Sequence, residues 1–346
     1  MTSKIKSAML SLFIKALNHE KTQEPLFDKI NQVKQKLAPM VNTPSPYDAD
    51  KKDDAVTPTE KNIVFVTSRF RSGSSVFWNV FRSQSSCTAY YEPFNERKWF
   101  NPQTRGANVD ATHLGISDYW SEYNGLQKLE SFYEESWIRE NLHMDEHTFA
   151  PKMKAYIDTL IDNSKSTAVL QFNRIDFRLG WLKKNYPHAR IVHLYRHPRD
   201  QWCSFLTDKK LMNANAVCHT YRDAFYLDVW CRDLCKHFPF LSLNESPHPY
   251  MRFYYLWKLS YLYGIEYSDI SLSFEELTQS PQEVLNQLFN SLEWESPDFD
   301  KALSVLEKPS LNKWQSYAED EWFSTIETHC ERVLTDFLTS KQNNEF

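Results

Sequence analysis

A chain of 346 residues, 41% of them hydrophobic, is long enough to bury one large core, and its formal net charge of −5 argues against generic binding to nucleic acid. Any basic site must therefore be local. The six cysteines are scattered and few, which does not suit a disulfide framework, and no run reaches the roughly 18 apolar residues of a membrane span, so the composition fits a cytoplasmic enzyme with reduced thiols.

The first 60 residues differ from the rest. Met9, Leu10, Leu12, Phe13, Ile14 and Leu17, flanked by Lys4, Lys6 and Lys15, form a short amphipathic stretch with too few apolar residues for an ordinary signal peptide. Residues 4–17 either dock on the chain's own domain or on a second subunit, as a homodimer would allow, or rest on a membrane surface. Pro39, Pro44, Pro46, Pro58 and the charged run from Asp48 to Asp54 give residues 39–60 the composition of a linker. Residues 61–340 are expected to form the catalytic domain.

That domain opens on a β-branched strand, Lys61 to Ser68, which leads through Arg69-Phe70-Arg71-Ser72-Gly73-Ser74-Ser75 into the helical pattern Val76, Phe77, Val80, Phe81. A strand, a tight loop and a helix N-terminus make an anion site, because unpaired N–H groups and the positive end of the helix dipole converge there. The loop is not an ATP or GTP loop. That pattern ends in Gly, Lys and then Ser or Thr, whereas here Arg71 stands two residues before the only glycine of the loop.

A second short strand ends in Tyr90-Tyr91-Glu92-Pro93-Phe94. Residues 100–165 then form an acidic, aromatic insertion, and a second aromatic insertion covers residues 210–267; at helical spacing most of these rings are expected to be packing. Within the first lies His143-Met144-Asp145-Glu146-His147, which matches the His-x-x-Glu-His pattern of zinc peptidases if it is helical. It offers no evident third ligand and leaves every arginine unexplained. Cys231, Cys235 and His237 share a helical spacing better read as a packed face.

The segment Ala189 to Tyr195 reads as another buried strand and ends in Arg196-His197-Pro198-Arg199-Asp200-Gln201-Trp202-Cys203-Ser204. Pro198 stops the strand and starts a helix, so Arg196 and Ser204, eight residues apart, can close on one anion. Arg69, Arg71, Arg196 and Arg199 would supply the local positive field. Strand-like and helix-like segments alternate throughout, as in an α/β domain.

Arg71-Ser72-Gly73-Ser74-Ser75 resembles the 5′-phosphosulfate loop, and the Arg196/Ser204 pair around Pro198 and Asp200 resembles the 3′-phosphate site, of sulfotransferases that use 3′-phosphoadenosine 5′-phosphosulfate (PAPS). The resemblance extends over about residues 60–335. It includes Phe274-Glu275-Glu276-Leu277 at the end of a late strand, and Lys308-Pro309-Ser310-Leu311-Asn312-Lys313-Trp314 as a loop folding over the nucleotide. It implies a three-layer P-loop-like α/β fold, with a central mostly parallel sheet, helices on both faces and helical insertions around the acceptor cleft. The implied donor contacts are Arg69, Arg71, Ser72, Gly73, Ser74, Ser75, Arg196 and Ser204, with Ser310 and Lys313 as further contacts to the 3′-phosphate. The position that holds an adenine-side Trp in cytosolic members is Val76 here, with Trp78 two residues on.

Small-molecule members place a catalytic His where this chain has Phe172-Asn173-Arg174, and an arginine is no base at neutral pH. Carbohydrate- and tyrosine-directed members use a Glu at the place of Glu92. The resemblance therefore implies Glu92 as base, Arg71 on the sulfuryl and bridging oxygens, Arg174 orienting acceptor or sulfuryl group, and a saccharide or glycoconjugate hydroxyl as acceptor. A transferred group of low net charge does not demand a metal. An ATP-dependent phosphotransferase and a catalytically silent nucleotide-binding module are the alternatives.

Overall fold

The computed structural model describes residues 61–344, apart from Ala111, Thr112, Leu114, Glu307 and Lys308. The amphipathic stretch and the linker of residues 1–60, like Lys308, lie outside the described residues.

In chain order the elements are β1 (Asn62–Ser68), α1 (Ser74–Arg82), β2 (Cys87–Tyr91), α2 (Pro151–Asp162), β3 (Thr167–Phe172), α3 (Leu179–Asn185), β4 (Arg190–Tyr195), α4 (Pro198–Phe205), α5 (Val217–Thr220), α6 (Leu227–Leu234), α7 (Pro249–Tyr267), β5 (Ile270–Ser273), α8 (Phe274–Gln279), α9 (Pro281–Ser291), α10 (Phe299–Ser304) and α11 (Asp320–Asn344). The five strands pair in parallel in the order β2-β3-β1-β4-β5. All six residues of β3 are buried, and so are the last six of β1, which requires cover on both faces of the sheet. This is the α/β architecture with a parallel central sheet that the alternation of segments predicts.

Two positions depart from the sequence-based expectation. Among the described residues the stretch between β2 and α2 contains only the short 3₁₀ turns Ser121–Tyr123, Gln127–Ser131 and Glu135–Ile138, so the expected helical insertion of residues 100–165 is, α2 apart, mostly irregular. Gly106, Gly115 and Gly125, all at positive φ, interrupt it, while Tyr119, Tyr123 and Trp137 are buried and anchor it. His143 to His147 fall in this irregular region, where His143 Nε2 lies 2.9 Å from the Tyr263 hydroxyl and His147 is exposed. The helix that the zinc-peptidase pattern needs is not formed there. Phe274 to Leu277 belong to α8 rather than to the end of β5, because the Ser273 hydroxyl accepts the Glu276 N–H at 3.3 Å and caps a new helix.

His193 on β4 packs under Gly264 of α7, where a Cβ would run into the imidazole. Its Nδ1 is 2.7 Å from the Ser271 hydroxyl, and burial lowers its pKa to about 4. The unfolded chain takes up this proton near pH 6.5, so the stability it contributes is whole above that pH and is lost as pH falls toward 4. Urea titrations should show about 2–3 kcal/mol lost between pH 7.5 and 4.5 from this site, and a smaller loss over the same interval in His193→Gln.

Candidate functional site

Four strands deliver their functional side chains to the same end of the sheet. The Arg69–Ser75 loop follows β1, Glu92 follows β2, Asn173 and Arg174 follow β3, and Arg196 follows β4. Parallel strands place their C-terminal ends together, and the crevice opens where the order reverses about β1. A cleft of about 620 Å³ lies there, lined by Arg71, Gly73, Ser74, Ser75, Glu92, Arg174, Arg196, Ser204 and Lys313 among others.

At one end, Arg196 is buried and clamps the loop. Its Nη1 donates to the Arg71 carbonyl at 3.1 Å and to the Ser204 hydroxyl at 3.3 Å, while Arg71 Nε donates to the Ser204 carbonyl at 3.0 Å. The Arg196 guanidinium lies over the Phe274 ring, 5.0 Å from its centroid, and burial lowers its pKa. Its buried Nε makes no hydrogen bond but lies 4.0 Å from Glu275 Oε1.

Gly73 has φ 93°, and a Cβ there would run into the Phe274 ring, which is why only glycine fits the turn. Helix α1 begins at the next residue, and no side chain caps it. Its first N–H groups remain available to a ligand. Arg71 (φ 65°), Glu92 (φ 39°) and Tyr226 (φ 64°) are non-glycine residues in left-handed backbone, and all three line the cleft. Backbone of this kind persists where the surrounding packing over-determines it.

At the other end Glu92 is buried and held from three sides. Arg174 Nη1 donates to Oε2 at 2.6 Å, Asn95 Nδ2 donates to the same oxygen at 2.9 Å, and Asn173 Nδ2 donates to Oε1. Asn173 is oriented in turn by Gln171 Nε2 at 2.8 Å. Arg174 also donates through Nη2 to Glu96 at 2.7 Å. Burial lowers the pKa of Arg174, but Glu92 and Glu96 together outweigh it and the net shift is upward. Glu92 and Arg174, 82 residues apart in sequence, thus form one buried ion pair at the cleft wall.

Some sequence candidates lie elsewhere. Arg69 is buried and donates to Asp176 at 3.1 Å, with its guanidinium 5.1 Å from the Trp230 ring centroid. The Ser72 hydroxyl donates to the Arg69 carbonyl at 2.7 Å and stabilises the turn from within. Neither lines the cleft, nor does exposed Ser310. Arg199 contributes no free charge, because it pairs with Glu327 and Asp320 at 2.7 and 2.6 Å. Trp78 is fully buried and donates to the Ala89 carbonyl, whereas Val76 lines the cleft. Lys313 reaches the cleft because Asp200 accepts the N–H groups of Asn312 at 2.7 Å and Trp314 at 3.2 Å, tying that loop to α4.

Three cleft residues carry no sequence signal: Asn95 and Glu96, which hold Glu92 and Arg174, and His113. His113, in the irregular insertion, lines the cleft with Nε2 3.1 Å from the Ser75 hydroxyl and Nδ1 2.6 Å from the Tyr119 hydroxyl. Burial lowers its pKa, so the ring is neutral at pH 7. No local pattern marks it, since its partners come from α1 and from six residues downstream. Taken together, the cleft brings Arg71, Arg196 and the loop hydroxyls to one side and a buried carboxylate to the other.

Residues 63–255, more than half of the chain, match a family model described as the sulfotransferase family. No curated protein matches the sequence. Among solved structures the chain is similar to a sulfotransferase from Mycobacterium avium, at 13% identity and a TM-score of 0.44 over 85% of this chain and 80% of that one. It is also similar to the sulfotransferase domain of the curacin biosynthetic pathway, at 14% identity and a TM-score of 0.37 over 80% and 97% of the two chains. A third similarity is to the sulfotransferase domain of the Synechococcus PCC 7002 olefin synthase, at 17% identity and a TM-score of 0.34 over 77% and 85%.

Proposed function

The chain belongs to the sulfotransferase family, and from that premise we propose that it moves the sulfuryl group of PAPS to a hydroxyl of a saccharide or glycoconjugate, with Glu92 as general base. The observation that carries the donor assignment is the Arg196 clamp, a largely buried guanidinium that touches the phosphate-type loop and Ser204 at once and lines the cleft. A 3′-phosphate fits that chemistry, because a planar cation and a hydroxyl together satisfy several phosphate oxygens.

The acceptor oxygen attacks sulfur in line, the bond from sulfur to the bridging phosphate oxygen breaks, and the acceptor's proton passes to Glu92. A carboxylate offers about four lone-pair directions, of which Arg174, Asn95 and Asn173 occupy three, and the protonated Tyr91 hydroxyl adjoins the fourth, which the incoming hydroxyl must share. Arg71 and the open N-terminus of α1 stabilise the charge that gathers on the departing phosphate. Two clusters of contacting rings line the cleft, Phe70 with Phe225 and Tyr226, and Tyr91 with Trp99 and Tyr119, and supply aromatic surface suited to the apolar faces of a sugar ring. All six cysteines are free thiols, which suits a reducing compartment such as the cytoplasm.

Calorimetric titration of the protein with adenosine 3′,5′-bisphosphate and, separately, with ADP tests the donor. A clear preference for the bisphosphate is expected and would justify a screen of neutral and anionic saccharides with labelled PAPS. Equal affinity for the two nucleotides would instead favour the ATP-dependent reading.

A further inference from the structure

Polar contacts run without a break from the insertion to the phosphate-type loop. The Asp110 backbone N–H donates to the Tyr119 hydroxyl oxygen at 3.0 Å. An amide can only donate, so the Tyr119 proton is left to point at His113 Nδ1, 2.6 Å away. The neutral ring then carries its proton on Nε2 and donates it to the Ser75 hydroxyl at 3.1 Å. Ser75 is also 2.7 Å from the Tyr91 hydroxyl, and Tyr91 is the residue before Glu92. Burial, and after it the neighbouring Glu92 charge, pushes the Tyr91 pKa well above its ordinary value, so this hydroxyl keeps its proton.

This chain of contacts places Ser75 on the edge of the loop that faces the base. An in-line transfer requires the sulfuryl group to lie between the phosphate loop and the base. We propose that His113 is a positioning residue of the donor site, which forms its sulfuryl end through Ser75: the Nε2–H holds the Ser75 hydroxyl oxygen, so that the Ser75 proton is turned toward the sulfuryl oxygens. The inference rests on the PAPS reading and assigns it a residue from the irregular insertion. That insertion therefore completes the donor site as well as enclosing the acceptor. The sulfuryl group and the 3′-phosphate are recognised by separate sets of residues, His113 with Ser75 and Arg196 with Ser204.

A role confined to the sulfuryl end separates PAPS from adenosine 3′,5′-bisphosphate, which carries both phosphates and lacks the sulfuryl group. Titrating wild type, His113→Ala and His113→Gln with each ligand is the test. His113→Ala should bind the bisphosphate within about twofold of wild type and PAPS about tenfold more weakly, the loss of one hydrogen bond to a charged group. His113→Gln, whose amide nitrogen falls near the position of Nε2, should recover most of the PAPS affinity. Bisphosphate binding by each variant also reports that its site is folded. Equal losses for the two ligands, or no loss for either, would overturn the role of His113 and leave the PAPS reading standing. A wild type that binds neither ligand would overturn both.

Discussion

Arg196→Ala is expected to weaken binding of adenosine 3′,5′-bisphosphate by about two orders of magnitude while changing ADP affinity by less than about threefold. The cost follows from what the side chain does. It is buried, it donates to the Arg71 carbonyl and to Ser204, and its Nε lies 4.0 Å from Glu275 Oε1 without a hydrogen bond. Truncating one side of a buried charge-assisted contact removes about 2–5 kcal/mol, and every 1.4 kcal/mol is tenfold in affinity. ADP has no 3′-phosphate, so it loses only the indirect effect of a loosened Arg71. Calorimetry on wild type and variant measures both values. A variant that loses the two nucleotides to the same extent would show that Arg196 supports the loop instead of reading the 3′-phosphate. Arg196→Lys provides a control, because it keeps the charge and loses the fork that spans Arg71 and Ser204.

Glu92→Gln should lower turnover of labelled PAPS by about 10²–10⁴-fold, the range of general-base catalysis, with little change in affinity for the bisphosphate. The substitution is nearly isosteric, but it leaves the buried Arg174 with Glu96 as its remaining carboxylate partner. Breaking a buried ion pair costs about 3–5 kcal/mol when nothing replaces it, and Glu96 recovers part of that here. A lower thermal midpoint is therefore expected beside the loss of turnover, and bisphosphate binding at 25 °C establishes that the folded protein is being assayed. Turnover within tenfold of wild type would remove Glu92 from the role of base. The proton would then need another acceptor on the cleft wall, where Glu96 and Asp110 are the other carboxylates.

The parts of the site that the sequence displays are those in which local chemistry dictates local shape. The loop after β1 is legible because a glycine in left-handed backbone between basic and hydroxyl residues has few other uses. The Arg196/Ser204 pair is legible because Pro198 fixes where β4 ends and α4 begins, and the pitch of a helix then sets the reach between them. Glu92 and Arg174 each stand at a strand end, but their pairing depends on β2 and β3 being neighbours, which the order of strands along the chain does not reveal.

Arg69 and Arg199 carry the same charge and the same proximity to the motifs as Arg71 and Arg196, so their sequence neighbourhoods offer no means of separation. The tertiary structure separates them by partner. Asp176 takes Arg69, Glu327 and Asp320 take Arg199, and Arg71 and Arg196 remain at the cleft. His113 is the converse case, an unremarkable residue in an irregular insertion that becomes part of the site only when Ser75 and Tyr119 meet it.

By itself, then, the sequence determined the α/β alternation, the two anion motifs and the strand-end carboxylate, because each follows from the conformational preferences of a few adjacent residues. Only the tertiary structure decided which charges are spent in ion pairs, which loop residues face the cleft, and that the long insertion contributes a histidine to it. Those outcomes depend on the parallel sheet, which brings four strand ends to one place, and on the distant partners that each buried charge finds there.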